Sequence, residues 1–259
     1  MANQKKKNST LPIAIIGIVL VVGLIGAWAM FSNSKTPGTN TQTANGNTKK
    51  TPVSTAVAPA GATPPNMAGS PTALVTIEEF ADFQCPTCAS THPVMNEIKS
   101  VYGSRIKFIF RNYPLAIPAH DKSYEAAVAA EAAGVQGKFW DMQNLLFTNQ
   151  QAWTANPNYK QIWNEYAQKL GIDVDKFQSD MAGLGAKSRV DEDLKRGRGL
   201  NVNSTPTIFV NGVSVEAKDF NVNSLRQIID GELQKATAAG QAPAANAAAP
   251  AASSTNSNK

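Results

Sequence analysis

Cysteine is nearly absent from this sequence: 259 residues hold two, Cys85 and Cys88. A structural disulfide framework has no material here, and a zinc ribbon would need two further ligands of the right kind and spacing. Charge is also thin, at 17% of residues, and no basic stripe interleaves with aromatics. That sets aside a nucleic-acid partner despite the net charge of +5. Lys5, Lys6 and Lys7 supply three of those charges, so the rest of the chain is close to balanced.

No charge at all occurs between Lys7 and Lys35. Within that gap, residues 11–31 read LPIAIIGIVLVVGLIGAWAMF. As a helix this run measures about 30 Å, the thickness of a hydrocarbon core. Trp28 near its far end suits the interfacial belt, and the three lysines ahead of it keep residues 1–10 in the cytoplasm. The run is expected to be a signal anchor in the cytoplasmic membrane, with everything after it exported. A cleavable signal peptide ending near Ala27-Trp28-Ala29 is the competing reading, though the run exceeds the usual length of one. Both place the cysteines where disulfides persist.

Residues 32–68 lack aromatics and are rich in Thr, Asn, Pro, Gly and Ala. They read as a flexible linker, which as a random coil would span roughly 35 Å. Residues 238–259 read as a disordered tail. One domain, residues 69–237, remains between them.

Inside that domain, residues 73–80 read as a buried strand and the segment from Cys85 to Tyr102 as a helix, with Val94, Ile98 and Val101 on one face. Ile106–Phe110 alternates as a second strand. A helical block over about 116–200 follows, with Trp140, Trp153 and Trp163 as packing residues. Thr207–Val210, the turn Asn211-Gly212 and Val213–Val215 form a hairpin, and a last helix covers about 223–235. The order βαβ, helical block, ββα is α/β with a helical insertion.

Cys85 falls where a strand ends and a helix begins. Free N–H groups and the helix dipole there favour a thiolate. Pro86 suits the first turn, since its missing N–H costs nothing there. Cys88 lies one turn on and can reach back, so Cys85 is the expected nucleophile and Cys88 the resolving thiol. Thr205-Pro206 opens a later strand, a place where proline is tolerated. His92, four residues after Cys88, reads as a helix-surface residue; with the two cysteines it could instead make a metal site. His120 reads as capping or beginning a helix.

FADFQCPTC, RNYPL with Ala119-His120, AAVAAEAAGVQGKFWDMQNLLF and STPTIFVNG together resemble the DsbA-like thioredoxin-fold oxidoreductases, membrane-anchored branch. The resemblance spans about residues 70–235. It implies a thioredoxin-like fold with an inserted helical subdomain and Cys85 and Cys88 as the catalytic pair. It also implies that Pro206 is a cis-proline facing them, with Thr205 contacting substrate. The dipeptide Pro86-Thr87, which tunes the potential in this family, lacks the His of the strongest oxidants. Glu79, six residues before Cys85, stands where such proteins often hold a carboxylate under the active site; desolvated, it could accept the proton of the resolving cysteine. A solvated strand-end charge is its other reading, and Glu78 points the other way.

The expected function is thiol–disulfide exchange with exported protein thiols, in the oxidising direction. It needs no bound cofactor, and a membrane quinone-linked partner would restore the disulfide. A reductase or isomerase with the same residues, or a tethered metal-binding or chaperone module, are the alternatives.

Overall fold

The structure, a computed structural model, describes residues 58–240. The expected cytoplasmic terminus, the membrane segment 11–31 and most of the linker and tail lie outside the described residues. Among the described residues no helix is long and apolar enough to cross a membrane.

Five strands form one sheet: β1 (Asn66–Gly69), β2 (Val75–Ala81), β3 (Ile106–Asn112), β4 (Thr207–Val210) and β5 (Val213–Ser214), in the spatial order β1-β3-β2-β4-β5. β2 lies at the centre, parallel to β3 with Val75 opposite Ile106, and antiparallel to β4 with Ile77 opposite Val210. A central strand is covered on both faces, so six of its seven residues are buried.

Alternation splits that strand between two cores. Val75, Ile77 and Ala81 pack with helix α1 (Pro86–Tyr102) and helix α8 (Val222–Gly240). Phe80 turns the other way, onto Tyr113, Leu200, Val202 and Phe209. The helical insertion stands between β3 and β4, as expected. It comprises α2 (Ser123–Val135), α3 (Phe139–Thr148), α4 (Gln150–Thr154), α5 (Tyr159–Lys169), α6 (Val174–Ala182) and α7 (Leu184–Gly199). The Ala-rich α2 is buried along most of its length, because small side chains let neighbouring helices close on it. Trp153 and Trp163 are fully buried and meet edge to face at 5.4 Å, which confirms them as packing residues.

Three expectations need correction. Residues 58–68, assigned to the linker, are part of the domain. Their composition offers little apolar surface, but their backbone is held by arginines. Arg111 donates to the carbonyls of Ala60 and Ala62, Arg196 donates to that of Pro59, and Asn66 then opens β1 opposite Phe110. At the other end, α8 runs to Gly240, past the expected start of the tail.

The buried face of α1 also differs. It is Cys88, Thr91, His92, Met95, Ile98 and Tyr102, whereas Val101 is exposed. A stripe of three valines and isoleucines suggested a face rotated by about one position. The polar residues Thr91 and His92 were the ones turned inward.

Candidate active site

β2 delivers the chain into a tight loop, Asp82-Phe83-Gln84, and Cys85 then caps α1 with Pro86 in the first turn. The buried Asp82 carboxylate organises this loop. It accepts the N–H of Gln84 at 2.8 Å, the N–H of Leu115 at 2.9 Å and the hydroxyl of Ser123, and pairs with His120 Nδ1 at 2.7 Å. His120 closes a short 3₁₀ turn, and its role here is to tie the start of the insertion to the cysteine loop.

Both thiols are free, and they are unequal. Cys85 keeps 6% of its surface exposed and Cys88 none. Cys85 is thus more enclosed than its place at a helix start suggested, but it is the accessible one of the pair. Pro86 and Thr87 beside it are exposed.

The S–H of Cys85 donates to the carbonyl of Thr205 at 3.3 Å. A hydrogen bond from the Cys88 thiol, opposed by burial, pulls the Cys85 pKa down to about 5, aided by the N–H groups of Cys88 and Thr87. The Thr205 hydroxyl works in the same direction although it is buried and reaches full hydrogen-bond geometry with no described group. Burial, then the neighbouring Cys85 sulfur, pushes the Cys88 pKa up.

The Thr205–Pro206 bond is cis. Pro206 is buried and Thr205 half-buried, and the Thr205 carbonyl lies against the Cys85 sulfur. Tyr113 secures the approach to this loop by donating its hydroxyl to the Val202 carbonyl at 2.6 Å.

Glu79 is buried, not solvated, at 3% exposure. Desolvation, opposed by the charge of Lys99, raises its pKa to about 7, and its charge in turn helps raise that of Cys88. Lys99 belongs to α1 and lies over the rings of Trp140 at 4.5 Å and Phe108 at 5.2 Å. Burial lowers its pKa, against the pull of Glu79. Sequence reasoning missed Lys99; the signal was its helical spacing, since residues 88, 92, 95 and 99 share one face.

Glu78 faces the opposite side of the sheet, as alternation requires. Burial alone would raise its pKa, but hydrogen bonds from Arg196 and Arg111 lower it on balance. The contacts are 2.6 and 2.8 Å from Arg196 and 2.7 Å from Arg111.

His92 is a correction. It is buried against Phe147, with ring centroids 4.9 Å apart, and lies 3.0 Å from the side chains of both Asn144 and Asn96. Desolvation lowers its pKa. Among the described residues no three metal-ligating side chains come together.

The family model for thioredoxin matches residues 62–231. The chain belongs to the thioredoxin family. Relatives of this thioredoxin-family chain include Na(+)/H(+) antiporter NhaA 1 of Mycolicibacterium gilvum, 35% identical over 146 residues, which are 56% of this chain and 23% of that protein. Na(+)/H(+) antiporter NhaA 3 of Salinispora tropica is 36% identical over 140 residues, or 54% and 20%. The chain spans about a fifth of the curated relatives it matches.

Among solved structures, Wolbachia pipientis α-DsbA1 superposes with a TM-score of 0.59 at 18% identity, over 69% of this chain and 96% of that one. Oxidised BdbD from Bacillus subtilis superposes at 0.54 with 24% identity, over 66% and 93%. A thioredoxin-like oxidoreductase from Silicibacter pomeroyi gives 0.53 at 22%, over 66% and 92%. These likenesses establish a thioredoxin-like fold with a helical insertion.

Proposed function

We propose that this chain is a membrane-tethered, extracytoplasmic protein thiol–disulfide oxidoreductase that works as a disulfide-forming oxidase. One observation supports the reading most: two thiols a helical turn apart, one with a pKa of about 5 and the other pushed up and sealed from solvent. A pair split this way has a defined attack point and a protected resolving group.

Starting from the Cys85–Cys88 disulfide, a substrate thiolate attacks the Cys85 sulfur. The Cys85–Cys88 bond breaks, a substrate–Cys85 mixed disulfide forms, and Cys88 leaves as a thiolate. Glu79, with a pKa of about 7, is half protonated near neutrality and gives Cys88 its proton. A second substrate thiolate then attacks the substrate sulfur and expels Cys85 as a thiolate. The substrate leaves oxidised by two electrons and the pair stays reduced. The Thr205 carbonyl lies against the reacting sulfur, the substrate backbone binds along Thr205 and Pro206, and the exposed Pro86 and Thr87 form the rim.

An acidic Cys85 also supports the direction. A stabilised thiolate is a good leaving group and favours the reduced form of the pair, which makes its disulfide a stronger oxidant. The same residues serve a reductase or isomerase if the potential is low. Tethering rests on residues 11–31 and Lys5–Lys7, and a membrane quinone-linked protein is the proposed source of oxidising equivalents. The test is oxidation of a reduced two-cysteine peptide by the oxidised full-length chain. One disulfide formed per chain is expected, and the same yield from Cys85→Ser would overturn the reading.

A further inference from the structure

Two side chains hold the loop that presents Cys85. Asp82 receives one of its N–H groups, and Gln150 donates to its carbonyls. Gln150 opens α4, the short helix of the insertion that the sequence does not reveal. Its Nε2 lies 2.7 Å from the Phe83 carbonyl and 3.0 Å from the Cys85 carbonyl. An amide nitrogen has two hydrogens, so each carbonyl takes one. The Cys85 carbonyl also accepts the N–H of Ala89 at 3.1 Å, which fills both of its acceptor positions. Beside this contact Phe83 packs on Phe147 of α3 at 4.7 Å, so the insertion grips the loop twice.

We propose that Gln150 is a positioning residue for the nucleophile: its amide fixes the Phe83 and Cys85 carbonyls away from the sulfur, so that the first-turn N–H groups point at it. The two carbonyls that Gln150 holds belong to the Phe83–Gln84 and Cys85–Pro86 peptides, which bracket Cys85 and set how the chain enters the first turn. Held as they are, they leave the following first-turn N–H groups, those of Thr87 and Cys88, facing the sulfur. Turned the other way, they bring a carbonyl oxygen toward a negative sulfur, which opposes ionisation. Pro86 has no N–H to hold its own end, so the restraint has to come from outside the helix. Gln150 supplies it from the insertion, which thereby tunes the redox centre as well as covering it. A carboxylate at this position has no hydrogen to donate at neutral pH, so only the amide does this work at that size.

The inference rests on Cys85 being the nucleophile, and the experiment separates the two. Thiolate absorbance is titrated in the reduced full-length chain and in Gln150→Met, which keeps the volume and removes both donors. The native Cys85 midpoint is expected near about 5. The variant midpoint is expected to rise by at least about one unit, slowing alkylation at pH 5 about fivefold. A native midpoint near 5 with an unchanged variant overturns the Gln150 assignment and leaves exchange through Cys85 intact. A native midpoint of an ordinary thiol, with exchange surviving in Cys85→Ser, overturns both. If Gln150→Met does not fold, the native protein still decides. The Gln150 side-chain amide protons are expected to exchange slowly and to shift with the Cys85 titration in nitrogen-15 spectra, and amide signals that ignore that titration overturn the proposal.

Discussion

The sulfur of Cys85 lies 3.3 Å from the carbonyl oxygen of Thr205, 120 positions further along the chain. This contact joins the start of α1 to the loop entering β4, across the whole helical insertion. It places the thiol against polypeptide backbone, with the exposed Pro86 and Thr87 beside it.

Removing the resolving thiol should trap the intermediate. Cys88→Ala, supplied with a disulfide substrate in its reduced state, is expected to accumulate a Cys85-linked mixed disulfide visible on non-reducing gels. The native chain should show little, because intramolecular resolution by Cys88 is fast. Equal accumulation in both would show that Cys88 does not resolve.

The buried Glu79 makes a pH prediction best read in the oxidised protein, where cysteine ionisation is silent. Its folded pKa, about 7, stands above its ordinary value of 4.5. The folded state therefore holds a proton that the unfolded chain has lost. Its stability is fully present below about 4.5, falls as the pH climbs between the two values, and has finished falling above about 7. Glu79→Gln should lack this fall. Above pH 7 it is expected to be more stable than the native protein by about 3 kcal/mol, or roughly 6–12 °C in Tm. Parallel Tm profiles for the two proteins would place Glu79 outside this account. In activity, Glu79→Gln should flatten the pH dependence of the step that releases Cys88.

Arg111 holds two buried carboxylates, Glu78 at 2.7 Å and Asp193 at 2.9 Å, along with the carbonyls of Ala60 and Ala62. Arg111→Met leaves those charges without their shared partner and is expected to cost about 3–5 kcal/mol. Urea unfolding checks this as a lowered midpoint with an unchanged slope.

Gly197 in α7 stands against the ring of Tyr113, and a Cβ there would overlap it. In an open helix Gly→Ala gains up to about 1 kcal/mol. Here Gly197→Ala is expected to lose about 1–3 kcal/mol through overpacking. Exchange should slow as well, because Tyr113 anchors the Val202 carbonyl ahead of Thr205. Thermal melts and peptide oxidation together read both effects.

The parts of this site visible in the sequence are those set by local rules. Cys85 at a strand–helix junction, Pro86 in the first turn and Thr205-Pro206 before a strand each follow from chain geometry within a few residues. The parts that were hidden depend on what packs against what. Lys99 reads as a surface lysine until Trp140 and Phe108 cover it. Residues 58–65 read as linker because composition counts apolar side chains, whereas Arg111 and Arg196 hold the backbone there. Gln150 gave no signal at all, since its partners are carbonyl groups that every sequence possesses.

The most direct test is the equilibrium of the Cys85–Cys88 couple with glutathione. With Cys85 held near a pKa of about 5, we predict a potential toward the oxidising end known for such pairs, about −120 mV. A value near about −270 mV, the range of a reducing thioredoxin, or failure of the two cysteines to form a disulfide would contradict the account.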